Sequence, residues 1–351
     1  MKIAAPSVVW TPLPAGFVHE SLAVVDRTIL LGGGGQYVGS GPAVPPAVLE
    51  LRIDQGRVLV GPFWKLPAPL PGRSNVESVP FEESGPALVS ASKVGSAAVS
   101  TVMVRFSSDF SGCLGGWYHP LGTETWEYIG SASTETDIGA NDQIGIADGV
   151  LVTSECESSE LFVVERRGVL GDVTWPSGVV TRSCWRPRHI ELPEDVTTSG
   201  ASVASSGRWI ALRGERSSRM RDSVLVYERG PTGWALALEL DYPGFRVASV
   251  EVTDRWLVVL ESNRGAARLR WRQAITGEDR YLELDDYDTS LAVLGDRALV
   301  TQGHRALVVD LVEGIITHNI QRGGVAQLGD GRLAPDFAVF ALAGKVGVAL
   351  L

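Results

Sequence analysis

The chain has 351 residues, 44% apolar and 21% charged, a balance that excludes a disordered chain and suits two ordinary domains or one large repeat domain. Its formal net charge of −10 excludes the overall basic field that nucleic-acid binding needs. With 40 Gly and 19 Pro, it is richer in turn formers than an average globular chain.

At the N-terminus, Met1–Pro6 is too short an apolar stretch before Pro12 for a signal peptide. No run anywhere reaches the roughly 20 apolar residues that span a bilayer, so a cytoplasmic chain is expected. Residues 7–14 contain Trp10 closely followed by Pro12, a pairing shared with Phe63–Pro67 and Gly116–Leu121. All three read as outer strands, whose unpaired side tolerates proline. Next comes SLAVVDRTILL, Ser21–Leu31, in which apolar residues alternate, meet a polar corner at Asp26, and alternate again. That pattern predicts a β-hairpin. Ala47–Ile53 and Arg57–Leu66 supply a second strand pair.

The same hairpin signature returns along the chain. A degenerate copy, VPFEESGPALVS, spans Val79–Ser90 with its turn near Ser84, and IGIADGVLV spans Ile144–Val152 with its turn near Asp148. Ser202–Leu212 turns near Gly207, Ser249–Val259 (SVEVTDRWLVV) near Asp254, Ser290–Val300 near Asp296, and Val325–Ala334 near Asp330. Further strand pairs follow, among them Ser223–Glu228 with Trp234–Leu240, Arg268–Ile275 with Arg280–Leu284, and Ala306–Leu311 with Ile315–Ile320. Seven units of four strands predict an all-β, seven-bladed β-propeller forming a single domain over residues 1–351, because a lone four-stranded sheet cannot bury both faces. The last unit ends with Phe337–Ala343 and Val346–Leu351, and residues 7–14 are expected to complete it and close the ring.

These units resemble the blades of WD-repeat and quinoprotein-like propellers, and Ser202–Leu212 with Val224–Glu228 and Trp234 resembles a blade of the FG-GAP type. The resemblance implies the propeller architecture over the whole chain. It carries no residue-level function, since the Gly-His and Trp-Asp pairs of true WD repeats and the Asp-x-Asp-x-Asp calcium loop are missing.

Candidate chemistry is sparse. His19, His119, His189, His304 and His318 are scattered, and Cys113, Cys156 and Cys184 fit no metal or redox spacing, so neither a metal nor a cofactor is expected. The acidic clusters Glu82-Glu83, Asp285-Asp286 with Asp288, and Glu155 with Glu157 and Glu160 lie in polar linkers and read as solvated loops. Gly32–Gly35 precedes prolines rather than a helix, which removes a phosphate cradle. Basic charge concentrates in residues 161–280, which hold 18 of the 31 basic side chains against 15 acidic ones, a net of +3.

Two features there suit docking. The loop Arg213–Asp222 gathers Arg213, Arg216, Arg219 and Arg221 around Met220, and guanidinium forks bind carboxylates bidentately. The stretch Arg166–Arg188, read as an insertion between two strands, sets Trp175 near Arg182, Arg186 and Arg188, residue types that anchor interfaces. The leading expectation is therefore a non-catalytic scaffold that docks another protein with an acidic surface. Two others stand beside it: a glycan or small-ligand binder using aromatic pockets, and a lyase or hydrolase with an axial active site.

Overall fold

The computed structural model describes residues 3–33, 47–54, 56–64, 87–94, 99–106, 114–120, 126–132, 143–147, 150–154, 160–175, 178–216, 221–242, 244–263, 266–273, 276–285, 289–325 and 327–351. Every regular element among them is a strand. After β1 (Val9–Pro12), the strands run as antiparallel meanders in chain order. The first holds β2 (His19–Val25), β3 (Thr28–Gly33), β4 (Ala47–Asp54) and β5 (Arg57–Trp64); the next holds β6 (Ala87–Val94), β7 (Val99–Phe106), β8 (Leu114–Pro120) and β9 (Trp126–Ala132). Then follow β10 (Gln143–Ala147), β11 (Val150–Ser154), β12 (Glu160–Trp175) and β13 (Gly178–Glu191), and after them β14 (Val196–Ser205), β15 (Trp209–Arg216), β16 (Arg221–Arg229) and β17 (Trp234–Asp241). β18 (Arg246–Val252), β19 (Trp256–Asn263), β20 (Ala266–Gln273) and β21 (Arg280–Leu284) form another, as do β22 (Thr289–Leu294), β23 (Arg297–Gln302), β24 (Arg305–Asp310) and β25 (Ile315–Gln321). The last strands are β26 (Asp330–Leu333), β27 (Phe337–Leu342) and β28 (Lys345–Leu350).

Hydrogen bonding arranges these strands as five four-stranded sheets and one of eight. The eight-stranded sheet joins the β6–β9 and β10–β13 meanders edge to edge, through parallel pairing of Val180–Arg182 with Trp126–Tyr128. Each first strand lies beside the first strand of the next meander, β2 by β6 and so on to β22 by β26, and β26 lies beside β2.

Packing explains the sequence pattern. The apolar clusters sit between the faces of successive sheets: Val258, Leu269 and Trp271 meet Leu291, Val300 and Leu307, while Leu212 and Leu225 meet Val152 and Val163. Second and third strands are therefore covered on both faces and carry near-continuous apolar runs, as in β19 and β23. Outer strands such as β5 and β17 are half-exposed. Burying each Leu or Val contributes about 1.5–3 kcal/mol, so the contact between sheets holds each one in place.

The Asp-Arg corners do more than turn the chain. Asp26 adopts a positive φ of 50°, which an Asp tolerates. Arg255 Nη1 donates to both carboxylate oxygens of Asp296 on the next sheet at 2.8 Å, and Trp256 Nε1 donates to the same carboxylate at 2.7 Å. Arg297 reaches the carbonyls of Ala334 and Pro335, and Arg27 pairs with Asp336.

Two expected hairpins are placed differently. The β6–β7 hairpin turns between Val94 and Val99 rather than near Ser84, and residues 79–86 lie outside the described residues. Val325, Gln327 and Leu328 lie in no strand; the last first-hairpin pairs Asp330–Leu333 with Ala338–Ala341 and turns at residues 334–337. Gly329 and Gly331, which read as turn formers, serve close approach instead. A Cβ on Gly329 would lie 1.8 Å from the Ala341 carbonyl oxygen, and one on Gly331 would lie 2.4 Å from Thr301 Oγ1.

The N-terminal arm spans two sheets. β1 pairs antiparallel with β28, Val9 opposite Val348. Upstream, Ala4 and Ser7 run parallel to β25, where Asn319 N donates to Ala4 O at 2.8 Å and Gln321 N to Pro6 O at 2.8 Å. Trp10 Nε1 donates to Arg322 O at 2.9 Å.

Candidate functional site

The β15–β16 hairpin carries the first arginine cluster. Its residues 217–220, with Arg219 and Met220, lie outside the described residues. Arg213 Nη2 is 3.1 Å from Asp222 Oδ2, and that buried carboxylate also accepts Val247 N at 2.7 Å, tying this sheet to β18. Arg216 bonds Asp195 and Glu239 and lies 3.8 Å from Asp241. The Glu239 hydrogen bond, followed by the charges of all three acids, raises its pKa. Arg221 is exposed and makes no ion pair with the described residues. Arg213 and Arg216 thus engage the chain's own carboxylates.

The second cluster is organised differently. Arg166–Arg188 is no separate insertion but the continuation of the β12–β13 hairpin, with register shifts between Arg166 and Gly168 and between Val169 and Gly171. Trp175 pairs with Gly178, Arg182 with Gly171, and Arg186 with Glu165; their side chains lie outside the description. Arg188 Nε lies 3.7 Å from Glu165, and its Nη1 donates to Thr232 O at 3.3 Å. Glu165 is 2% exposed and also receives Arg229 Nε at 3.3 Å and Trp234 Nε1 at 3.2 Å. Close backbone approach is required here, since a Cβ on Gly233 would lie 2.9 Å from Arg188 Nη1.

Beside this node, the ends of β13 and β17 flank an open groove of about 760 Å³. Ile190, Leu192, Tyr227 and Leu236 give it apolar walls, with Arg188 and Trp234 at its border. Leu236 is 42% exposed. Tyr227 is buried to 3%, and its hydroxyl finds no hydrogen-bond partner. Burial, assisted by Glu239, pushes that phenol up to about 12, so it is a neutral donor at any ordinary pH. The groove therefore offers apolar surface and a guanidinium, over a buried phenol whose hydroxyl lacks a partner.

No family model and no curated protein match the chain. Solved structures do. The WD40 domain of SCAP from fission yeast superposes with a TM-score of 0.53 at 9% identity, covering 98% of each chain. The Dos1 propeller superposes with a TM-score of 0.53 at 10% identity, covering 99% of this chain and 94% of that one. The chain is a β-propeller repeat protein. Likeness at this identity speaks for the fold, and the side chains must speak for the site.

Elsewhere in the propeller, β20 lines Arg268, Arg270 and Arg272 along one face. Glu261, fully buried, pairs with Arg268 and lies 3.6 Å from Arg270. Burial raises the Glu261 pKa against the pull of both arginines. Arg268 stacks at 4.0 Å on Phe245 and 4.9 Å on Tyr281, and Arg270 lies over Tyr242. This ladder mortises β20 to the preceding sheet. Its signal was visible in the sequence as the alternating arginines of RLRWR. Glu165 and Asp222 carried no such signal, because their partners lie in other strands. Among the described residues no group of three His, Cys, Asp or Glu is placed to hold a metal, and no helix is long and apolar enough to cross a membrane.

Proposed function

We propose that this propeller is a seven-bladed ring closed by its N-terminal strand, and that it is a non-catalytic scaffold docking another protein. Support for the ring comes from the succession of first strands that returns from β26 to β2, and from the pairing of β1 with β28. Support for docking comes above all from the β13–β17 groove, with exposed Leu236 and Arg188 at its border. Propellers of the WD40 kind commonly bind proteins, which fits this reading. A partner segment would lay an apolar side chain against Leu236 and Ile190 and set a carboxylate near Arg188. Arg221, with Arg219 and Met220 beside it in sequence, offers a second point of contact for an acidic surface. A cytoplasmic setting belongs to the same reading.

The test is quantitative co-purification of the tagged chain from its host under mild salt. Leu236→Asp removes the partner while leaving the melting temperature unchanged, and Arg221→Glu weakens it less. Undiminished capture by Leu236→Asp refutes docking in the groove, and absence of any partner with the native chain refutes the scaffold.

A further inference from the structure

The β13–β17 groove differs in charge from one end to the other. Strand register defines its walls. On β17, Trp234 pairs with Arg229, Leu236 with Tyr227, Glu239 with Leu225 and Asp241 with Ser223. Tyr227 and Leu225 pack toward the preceding sheet, so these four β17 residues share the face that looks toward β13. Arg188 and Ile190 pair with Val163 and Leu161 of the same apolar cluster and form the opposite wall. The two strands run the same way along the groove. Arg188 Nη1 bonds Thr232 O just before β17, and Arg216 joins Asp195, after β13, to Glu239 near the end of β17.

At the foot, Arg188 and Arg229 share the single buried carboxylate of Glu165. At the head, Asp195, Glu239 and Asp241 surround Arg216, and Glu191 lines the groove on the approach to them. Arg221 stands opposite Arg216 in its hairpin. Among the described residues, two guanidiniums thus meet one carboxylate at the foot, and four carboxylates meet two guanidiniums at the head. Asp195 and Asp241 are exposed and Glu239 is half-buried, so an incoming chain meets that negative charge. Glu239 stands five positions beyond Trp234, about 16 Å at the rise of a strand. Charges are screened over about 8 Å at physiological salt. The ends are therefore too far apart to cancel, and each selects its own counter-charge.

We infer, on the docking reading given above, that the groove takes an extended partner segment of mixed charge. An acidic residue sits at Arg188, an apolar one against Leu236 and Ile190, and a basic one at Glu239 and Asp241. An extended chain covers the span in about five residues, which fixes the spacing of the acidic and basic positions. A uniformly acidic segment is repelled at the head.

The test is fluorescence polarisation of the full chain with the labelled, capped peptide Glu-Ser-Leu-Ser-Ser-Lys and with its reverse, since an extended segment can lie in either direction. One of the two binds, and replacing its Lys or its Glu by Ser weakens it about threefold, as expected for a part-exposed ion pair. Glu239→Gln combined with Asp241→Asn weakens the parent peptide by a similar factor but leaves the peptide without Lys unchanged. Arg188→Gln, which leaves Arg229 and Trp234 on Glu165, does the same with respect to the peptide's Glu. Such pairwise coupling does not arise from a merely structural effect of the substitutions. Binding by neither peptide, or equal losses for the parent and the Ser peptides, overturns the inference. So does a chain that sediments as a dimer and becomes a monomer as Leu236→Asp, because a second copy then fills the groove. Capture of the native partner separates the two readings. If Leu236→Asp abolishes capture while neither peptide binds, docking in the groove stands and the mixed-charge segment falls; if capture is also undiminished, docking falls with it.

Discussion

Replacing Trp10 by Ala tests whether the N-terminal arm holds the last sheet. The indole is half-buried, lies 5.5 Å under Lys345 Nζ and donates to Arg322 O. Truncating a fully buried Trp costs about 3–5 kcal/mol, so half of that is about 2. The hydrogen bond adds about 1, for a total of about 3 kcal/mol. Unfolding entropy near 2.1 cal/mol/K per residue gives about 0.7 kcal/mol/K for 351 residues, and hence a melting temperature lower by about 4 °C. Scanning calorimetry measures the shift, and hydrogen exchange should show faster loss of protection at Asn319 and Gln321, whose amides bond the arm. Gly347→Ala probes the same contact from below, because its Cβ would lie 2.4 Å from Val8 Cγ1 and 2.8 Å from the Trp10 ring. An unchanged melting temperature with unchanged protection in Trp10→Ala refutes the reasoning.

Glu251→Gln should matter at high pH only. The folded carboxyl holds its proton up to about 7 against 4.5 when free, so its stability is present below pH 4.5 and lost as pH rises through 7. The loss is about 3 kcal/mol, and melts at two pH values should show the variant more stable than the native chain at about pH 8 and equal to it near pH 4.5; an equal gain at both refutes it. Asp222→Ala removes the acceptor of Val247 N and strands Arg213, costing about 3–5 kcal/mol in urea unfolding, while Asp222→Asn keeps an acceptor and costs less. Tyr227→Phe does not lower stability by more than about 0.5 kcal/mol in urea unfolding, because its buried hydroxyl has no bond to lose.

Much of the fold was legible because alternating apolar runs around Asp or Gly corners can form little besides hairpins, and β2–β3, β14–β15, β18–β19 and β22–β23 stand where the pattern put them. The pattern failed where glycine had another purpose. At Leu328-Gly-Asp-Gly331 the glycines admit the Ala341 carbonyl and Thr301, so a stretch that reads as a turn is the entry to a strand. The candidate site was less legible. Arg213 and Arg216 read as free cations because Asp195, Glu239 and Asp241 meet Arg216 only after the sheet forms. Arg188 was found, but not Glu165 beneath it or Tyr227 beside it, since an acid inside a strand and a lone Tyr announce nothing until their neighbours are known.

The pairing of Val9 with Val348 has a consequence for biosynthesis. β1 is synthesised long before its seat on β28. Until β28 has been made, the nascent chain must keep the Trp10 segment unclaimed and the edge of β25 uncovered. Contacts so remote in sequence form slowly, and bare strand edges invite pairing with neighbouring chains. Newly made copies are therefore most vulnerable to misassembly in the interval between synthesis of β28 and the docking of β1.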